Sequence, residues 1–377
     1  MRINNIILMM CTALLMLLSC DRKAMASGLI LISLLLASCA EITPEYTERQ
    51  DISIFPVTSP VLKTVPGPVS NLDYETIGVF SYYSSVEGSW DDDAIQNAQL
   101  YINNGEFKKQ DAEWKGWKDG QHNPYFWPLS GSLVFAAYSP YYNTAGNSLP
   151  VSFNLETSTL ELTDFVMEDY KVRTLETVAA AKYNDSQSDV MYSLPMFDVN
   201  SQLVGIRTPD APYDALFHHA LSLVEFRAKV KSSSDIQKVS LHSIRLDDVV
   251  HKGTFTAKAG TSVTGVVDWQ LDMTDKDYIK DIFVFDAGES SGTDAGLYLS
   301  DEAYTIIAQI LIIPGLTHDM EIEYCINVRD GLSITESAVI KPSNIGITTW
   351  DRGKKYSYDI ILGTNSMEIS PGVDNWK

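Results

Sequence analysis

Apolar and polar residues alternate with a period of two along most of this chain, and that period dictates what it can fold into. In Ala220–Val230, Val224, Phe226, Ala228 and Val230 share one face, while Glu225, Arg227 and Lys229 share the other. Met320–Val328 repeats the pattern, with Met320, Ile322, Tyr324, Ile326 and Val328 opposite Glu321, Glu323 and Asn327. Tyr356, Tyr358, Ile360 and Leu362 form another such face. Successive side chains of a strand point to opposite faces, so this spacing predicts half-buried strands and not helices. Thr76–Tyr83, Leu133–Tyr138, Val239–Leu246 and Tyr304–Ile313 are read as further strands. Ile244 and Leu246 fall out of phase with Val239 and Leu241, which predicts a bulge. Ser139-Pro140, Pro314-Gly315 and Pro371-Gly372 supply turns between strands.

Helical signals are few. Asp91–Leu100 and Asp164–Val178 are expected to be short helices. Many short strands with polar turns indicate an all-β chain of tandem β-sandwich domains. Asn184–Pro212 is polar and reads as a loop, which places the domain boundary near residue 210. The expected organisation is a signal peptide over 1–38, an N-terminal β-sandwich over 39–210 and a C-terminal β-sandwich over 211–377.

The leader has its own logic. Gly28–Leu36 is an apolar run far shorter than the roughly 20 residues needed to span a bilayer. It has the length of a signal-peptide core, with Arg22-Lys23 as its positive flank. Leu36-Ala37-Ser38-Cys39 follows, and this resembles a bacterial lipoprotein box. Cys39 is therefore the expected lipidation site and the first residue of an exported, acyl-anchored chain. Leu17-Leu18-Ser19-Cys20 is a poorer box, and anchoring there would leave the apolar run exposed. An internal start at Met16 would keep Arg22 and Lys23 as the basic flank.

Charge and chemistry narrow the function. The net charge is −21, which argues against nucleic acid or anionic lipid as a partner, since both require a basic face. After Cys39 only Cys325 remains, so a disulfide framework and a cysteine zinc site are excluded. The six histidines, His122, His218, His219, His242, His251 and His318, show no chelating spacing. No nucleophile elbow or phosphate-cradling loop is present. Asp91-Asp92-Asp93 lacks the alternating spacing and central glycine of a calcium loop, and reads as a solvated helix start. No enzyme activity, metal or cofactor is expected. The aromatic cluster Trp114, Trp117, Tyr125, Phe126 and Trp127 suits either sandwich packing or stacking on sugars. The second use would make the chain a surface glycan-binding lipoprotein.

Several stretches together resemble the fimbrillin family, the Mfa-like and FimA-like type V pilus subunits of Bacteroidales. Asn123-Pro-Tyr-Phe-Trp-Pro-Leu129 followed by Leu133-Val-Phe-Ala-Ala-Tyr-Ser-Pro140 is similar to that family's signature. So are Thr76-Ile-Gly-Val-Phe80, Asp189-Val-Met-Tyr192, Phe217-His-His-Ala-Leu-Ser222, Tyr356-Ser-Tyr358 and Asp374-Asn-Trp376. The resemblance implies two transthyretin-like β-sandwich domains, a lipid anchor in the outer membrane and a non-enzymatic role in a surface fimbria. It also implies maturation in which a trypsin-like protease cuts past the first strand and another subunit's strand fills the vacated groove.

Carried onto this chain, the strand removed is Ile52–Val57, with Ile52 and Ile54 facing inward. The cut falls after Lys63, where the family usually has arginine. Arg49 precedes the strand and is the lesser candidate. The donor strand lies in Ser366–Lys377, led by Met367 and Ile369. The implied partners are other pilus subunits, of the same or a related kind, together with the outer membrane and a host or bacterial surface ligand.

Overall fold

The computed structural model describes residues 50–58, 76–142, 151–179, 186–231, 237–262, 265–288, 296–328, 332–363 and 366–376. They belong to one folded unit spanning Gln50–Lys377. Its first strands are β1 (Ser53–Thr58), β2 (Thr76–Ser84) and β3 (Ser89–Trp90), followed by helix α1 (Asp92–Gln96). Next come β4 (Gln99–Gln110), β5 (Glu113–Lys118), β6 (Gln121–His122), β7 (Ser132–Ser139), β8 (Val151–Asn154) and β9 (Thr159–Val166). After helix α2 (Leu175–Ala179) the chain runs through β10 (Met191–Ser193), β11 (Leu203–Val204), β12 (Tyr213–His219) and β13 (Ser222–Val230). Then follow β14 (Gln237–Val250), β15 (Lys252–Lys258), β16 (Val266–Leu271), β17 (Ile279–Asp286), β18 (Leu297–Tyr298) and β19 (Thr305–Ile312). The last are β20 (Met320–Val328), β21 (Leu332–Ile340), β22 (Lys354–Leu362) and β23 (Met367–Asn375).

The chain is all-β, as its period predicts. Eight strands form one sheet in the order β1-β12-β10-β7-β2-β4-β5-β6, and β1 also pairs with β5. That extra pairing turns the sheet back on itself, with β1 as the seam. Inside lies a core built from Ile77, Phe107, Trp114, Phe135 and Phe217, among others. Gly78 on β2 sits beneath the Tyr138 ring, and a Cβ there would fall 2.1 Å from it. The Tyr138 hydroxyl donates to Asn104 Oδ1 at 2.8 Å.

A four-stranded sheet, β19-β13-β22-β23, and a sheet of β17-β14-β20-β21 make up much of the rest. Val224 and Phe226 of β13 share a core with Leu241 and Ile244 of β14 and Tyr358 of β22. The bulge expected in β14 is present, as a register shift between Leu241 and Ser243 against β20. It lets Ile244 and Leu246 return to the buried face beside Val239 and Leu241. A further sheet, β16-β15-β9-β8, carries Phe153 against Phe80 of β2 and Phe255 against Tyr192 of β10.

Two helix expectations shrink. Asp91 caps α1 by accepting from the Ala94 amide at 2.8 Å, but the helix ends at Gln96 and the chain is in strand β4 by Gln99. Residues Asp164–Val166 finish β9, and only Leu175–Ala179 is helical. In both places strand ladders outweigh weak local helix preference. The polar segment near residue 200 also carries the short strands β10 and β11. Its Asp198 side chain organises a turn, accepting from the Asn200 and Gln202 amides at 2.8 and 2.9 Å. The chain passes residue 210 without leaving the first sheet, since β12 pairs with both β1 and β10.

Candidate assembly site

β1 occupies a slot between two strands that face it with unlike polarity. It runs parallel to β12, with Ile54 opposite Tyr213 and Thr58 opposite Phe217. It runs antiparallel to β5 only at Ser53 and Ile54, which face Lys115 and Trp114. Pro56 lies beyond the β5 pairing, where a missing amide proton breaks no bond to that strand. Just before β1, the Ile52 amide donates to Tyr125 O at 2.6 Å and the Trp127 amide donates to Gln50 O at 2.9 Å.

Ile52 and Ile54 are fully buried, while Phe55 is 39% exposed. The alternation places both isoleucines in the core of the closed sheet and points Phe55 outward. Burying the pair stabilises the fold by about 1.5–3 kcal/mol each. Without β1 the slot would present bare apolar walls and two unpaired strand edges, a template for another strand.

Met367 and Ile369 are half-buried on β23, packed against the core of the later sheets. β23 pairs along its whole length with β22, and it ends its four-stranded sheet. Cys39, Arg49 and Lys63 lie outside the described residues.

The aromatic cluster lines the slot. Trp114 and Trp127 are 2% and 4% exposed, and Tyr125 stacks on Phe107 at 5.5 Å. Trp117 is partly exposed, with Lys108 Nζ 5.3 Å above its ring. Two of the three indoles thus have no face to offer a sugar. Their use is packing, because Trp114 sits opposite Ile54 in the ladder. Cys325 is buried, with its Sγ 3.6 Å from Thr335 Oγ1. Among the described residues no three histidine, cysteine or acidic side chains are grouped to hold a metal ion.

Three of the family-like motifs meet in a place that sequence reading did not anticipate. His219 Nδ1 lies 2.5 Å from Asp189 Oδ2, and both side chains are buried. Burial pushes the Asp189 carboxyl up, and the neighbouring His219 opposes that shift. The Trp376 ring stacks on His219 at 3.8 Å, tilted by 12°. The Trp376 amide donates to Gly353 O at 2.9 Å. The cluster ties the end of β23 to the end of β12. The residues were visible as separate motifs, but nothing in their spacing announces the contact.

Residues 70–376 match a family model described as fimbrillin-like. The chain belongs to the fimbrillin-like family. Among solved structures, this fimbrillin-like chain is similar to a fimbrial protein from Bacteroides vulgatus. The identity is 16%, the TM-score 0.57, and the match covers 87% of this chain and 100% of that one. It is also similar to a candidate cell adhesion protein from Bacteroides ovatus, at 16% identity and TM-score 0.47, over 87% of this chain and 98% of that one. A third, a candidate cell adhesion protein from Bacteroides uniformis, has 15% identity and TM-score 0.46, over 88% and 98%. At such identities the first of these speaks to the fold. The comparison with curated proteins gives no match.

Proposed function

We propose that this fimbrillin-like chain is a structural, non-enzymatic subunit of a cell-surface fimbria that assembles by strand exchange. β1 is the segment given up on maturation, and a strand of another subunit takes its slot. The observation that carries this reading is the double pairing of β1, which makes one short N-terminal strand the closure of a sheet. Main-chain bonds to both neighbours supply affinity for an incoming strand, and the Ile52 and Ile54 positions select its side chains. Between Thr58 and Thr76 the sequence holds a single basic residue, Lys63, at which a protease that accepts lysine would detach β1. Cys39 is the proposed lipid anchor to the outer membrane, and a cut at Lys63 would separate the folded remainder from it.

Limited trypsin digestion of the folded full chain tests the reading, with products read by mass and then by size. Cleavage at Lys63 followed by ladders or fibres is the expected result. Clean cleavage that leaves a stable monomer would defeat it. Glycan recognition gains no support, since Trp114 and Trp127 are buried.

A further inference from the structure

The sheet β19-β13-β22-β23 carries a buried acid on the face where β13 is otherwise polar. Arg227 and Lys229 of that face are partly exposed, yet Glu225 is 1% exposed. A carboxylate so placed needs charged and hydrogen-bonding partners. β22 supplies Lys355, whose Nζ lies 2.7 Å from Glu225 Oε2. It also supplies Ser357, whose hydroxyl donates to Oε1 at 3.4 Å. β19, on the other side of β13, supplies Gln309, directly opposite Glu225 in the ladder. Gln309 Nε2 donates to the same Oε2 that Lys355 contacts. Arg227 Nε stands 3.8 Å from Oε1, but its close partner is Asp359 at 2.6 Å.

Two features separate this group from an ordinary ion pair. Lys231, Lys280 and Lys341 pair with carboxylates that reach water, whereas the carboxylate beside Lys355 is buried. Gln309 is engaged through its nitrogen only. It is buried, and its Oε1 has no hydrogen-bond partner among the described residues. A glutamine that merely completes a polar network would use both ends of its amide. Here an amine, a carboxamide and a group able to move a proton between them meet on one carboxylate oxygen. The arrangement is that of reactants held for bonding.

We propose that Lys355 and Gln309 become joined by an isopeptide bond, with Glu225 carrying protons between the attacking and the leaving nitrogen. Glu225 Oε2 takes a proton from the Lys355 ammonium, and the freed amine attacks Gln309 Cδ, forming the Nζ–Cδ bond. Nζ loses two protons in becoming an amide nitrogen. Oε2 passes one to Nε2 as the Cδ–Nε2 bond breaks, and the other leaves with the departing ammonia as ammonium. Ammonium and carboxamide thus give amide and ammonium. Charge is conserved, Glu225 ends as the carboxylate it began as, and no oxidant or other co-reactant is consumed. The bond fastens β19 to β22 across β13, so none of the three strands can leave the others. It forms within one copy and takes nothing from β1, so it is independent of the strand-exchange reading.

Peptide mapping of the folded full chain tests the proposal. The protein is unfolded in guanidinium and digested with trypsin, and the products are read by mass. Trypsin does not cut after an acylated lysine. The linked chain should therefore yield residues 281–329, which hold Gln309, joined to residues 355–377, which begin at Lys355. That branched peptide should be lighter than its two parts by one ammonia. K355R keeps a cation beside Glu225 and removes the nucleophile, so the branched peptide should be lost while far-ultraviolet dichroism still shows a folded chain. E225Q should lose it too, because a carboxamide cannot carry the proton.

Residues 281–329 and 356–377 recovered only as separate peptides from the parent chain would overturn the proposal. A branched peptide that persists in K355R would overturn the assignment of the lysine. One that persists in E225Q would overturn the role of Glu225. If E225Q does not fold, the parent and K355R digests still decide whether the bond forms.

Discussion

Single side chains in this molecule carry polarity into places where water does not follow. His318 is 6% exposed beside Trp350, with ring centroids 5.6 Å apart. Burial lowers its pKa to about 4, helped by His251 and opposed by Asp248 and by backbone bonding to residues 247 and 248. His251 is likewise lowered, first by burial and then by Lys280. A base whose folded pKa lies below its unfolded one binds more protons when unfolded. Stability is therefore intact above the unfolded value near 6.5 and drains away as pH falls towards about 4. The full loss from His318 is roughly 3 kcal/mol at about 1.4 kcal/mol per pH unit. In thermal melts between pH 7 and 4.5, His318→Gln should flatten the fall in Tm relative to the parent chain. Parallel curves would show that His318 does not titrate with folding. Asp189 and His219 differ in kind, because there two buried side chains are hydrogen-bonded to each other. Removing one partner, as in His219→Ala, should cost about 3–5 kcal/mol in chemical denaturation, the usual effect of stranding a buried carboxylate. A loss under about 1 kcal/mol would mean that Asp189 is neutral in the fold.

At the scale of the element, β1 and β23 differ in what holds them. Ile54 is fully buried between two strands, whereas Ile369 is half-buried on a strand paired along one edge. Ile54→Ala should therefore destabilise the uncut chain by about 2–4 kcal/mol, the cost of a cavity in a closed core. Ile369→Ala should cost about 1 kcal/mol, because its surroundings are partly open. Urea titration distinguishes the two, and equal losses would contradict the difference in their settings. Much at this scale was legible from sequence. The period of two found β13, β20 and β22, and the phase slip in Val239–Leu246 found the bulge of β14. The inward pointing of Ile52 and Ile54 came from the family resemblance and not from the alternation. What stayed hidden was the company each strand keeps. Nothing in the local pattern says that β1 would run parallel to β12 or touch β5, because strand partners are set by long-range packing. For the same reason Trp114 reads as a core residue or a sugar platform until its ladder partner, Ile54, is known.

At the scale of the whole molecule, the polarity of Asn184–Pro212 reads as a loop before a domain boundary, and ladders join the residues on its two sides. β15 pairs with β9 from Lys252↔Val166 to Lys258↔Thr159. Trp269 Nε1 donates to Ala220 O at 2.8 Å. One apolar cluster runs without a break from Phe80, Val134 and Tyr192 to Val224, Leu241 and Ile310. A segment rich in aspartate and serine can look like a linker because its polar groups satisfy turns, as Asp198 does, and composition cannot tell a turn within a fold from a hinge between folds. Units that share both a ladder and a core lose each other's contacts when either opens. The uncut chain should therefore unfold in one cooperative transition, with calorimetric and van't Hoff enthalpies in agreement. Tryptophan fluorescence and far-ultraviolet dichroism, which averages all strands, should give the same midpoint. Two resolved heat-absorption peaks would instead assign the β9–β15 ladder a minor energetic share. If cleavage at Lys63 then split a single peak into two, the seam strand would be what couples the first sheet to the rest.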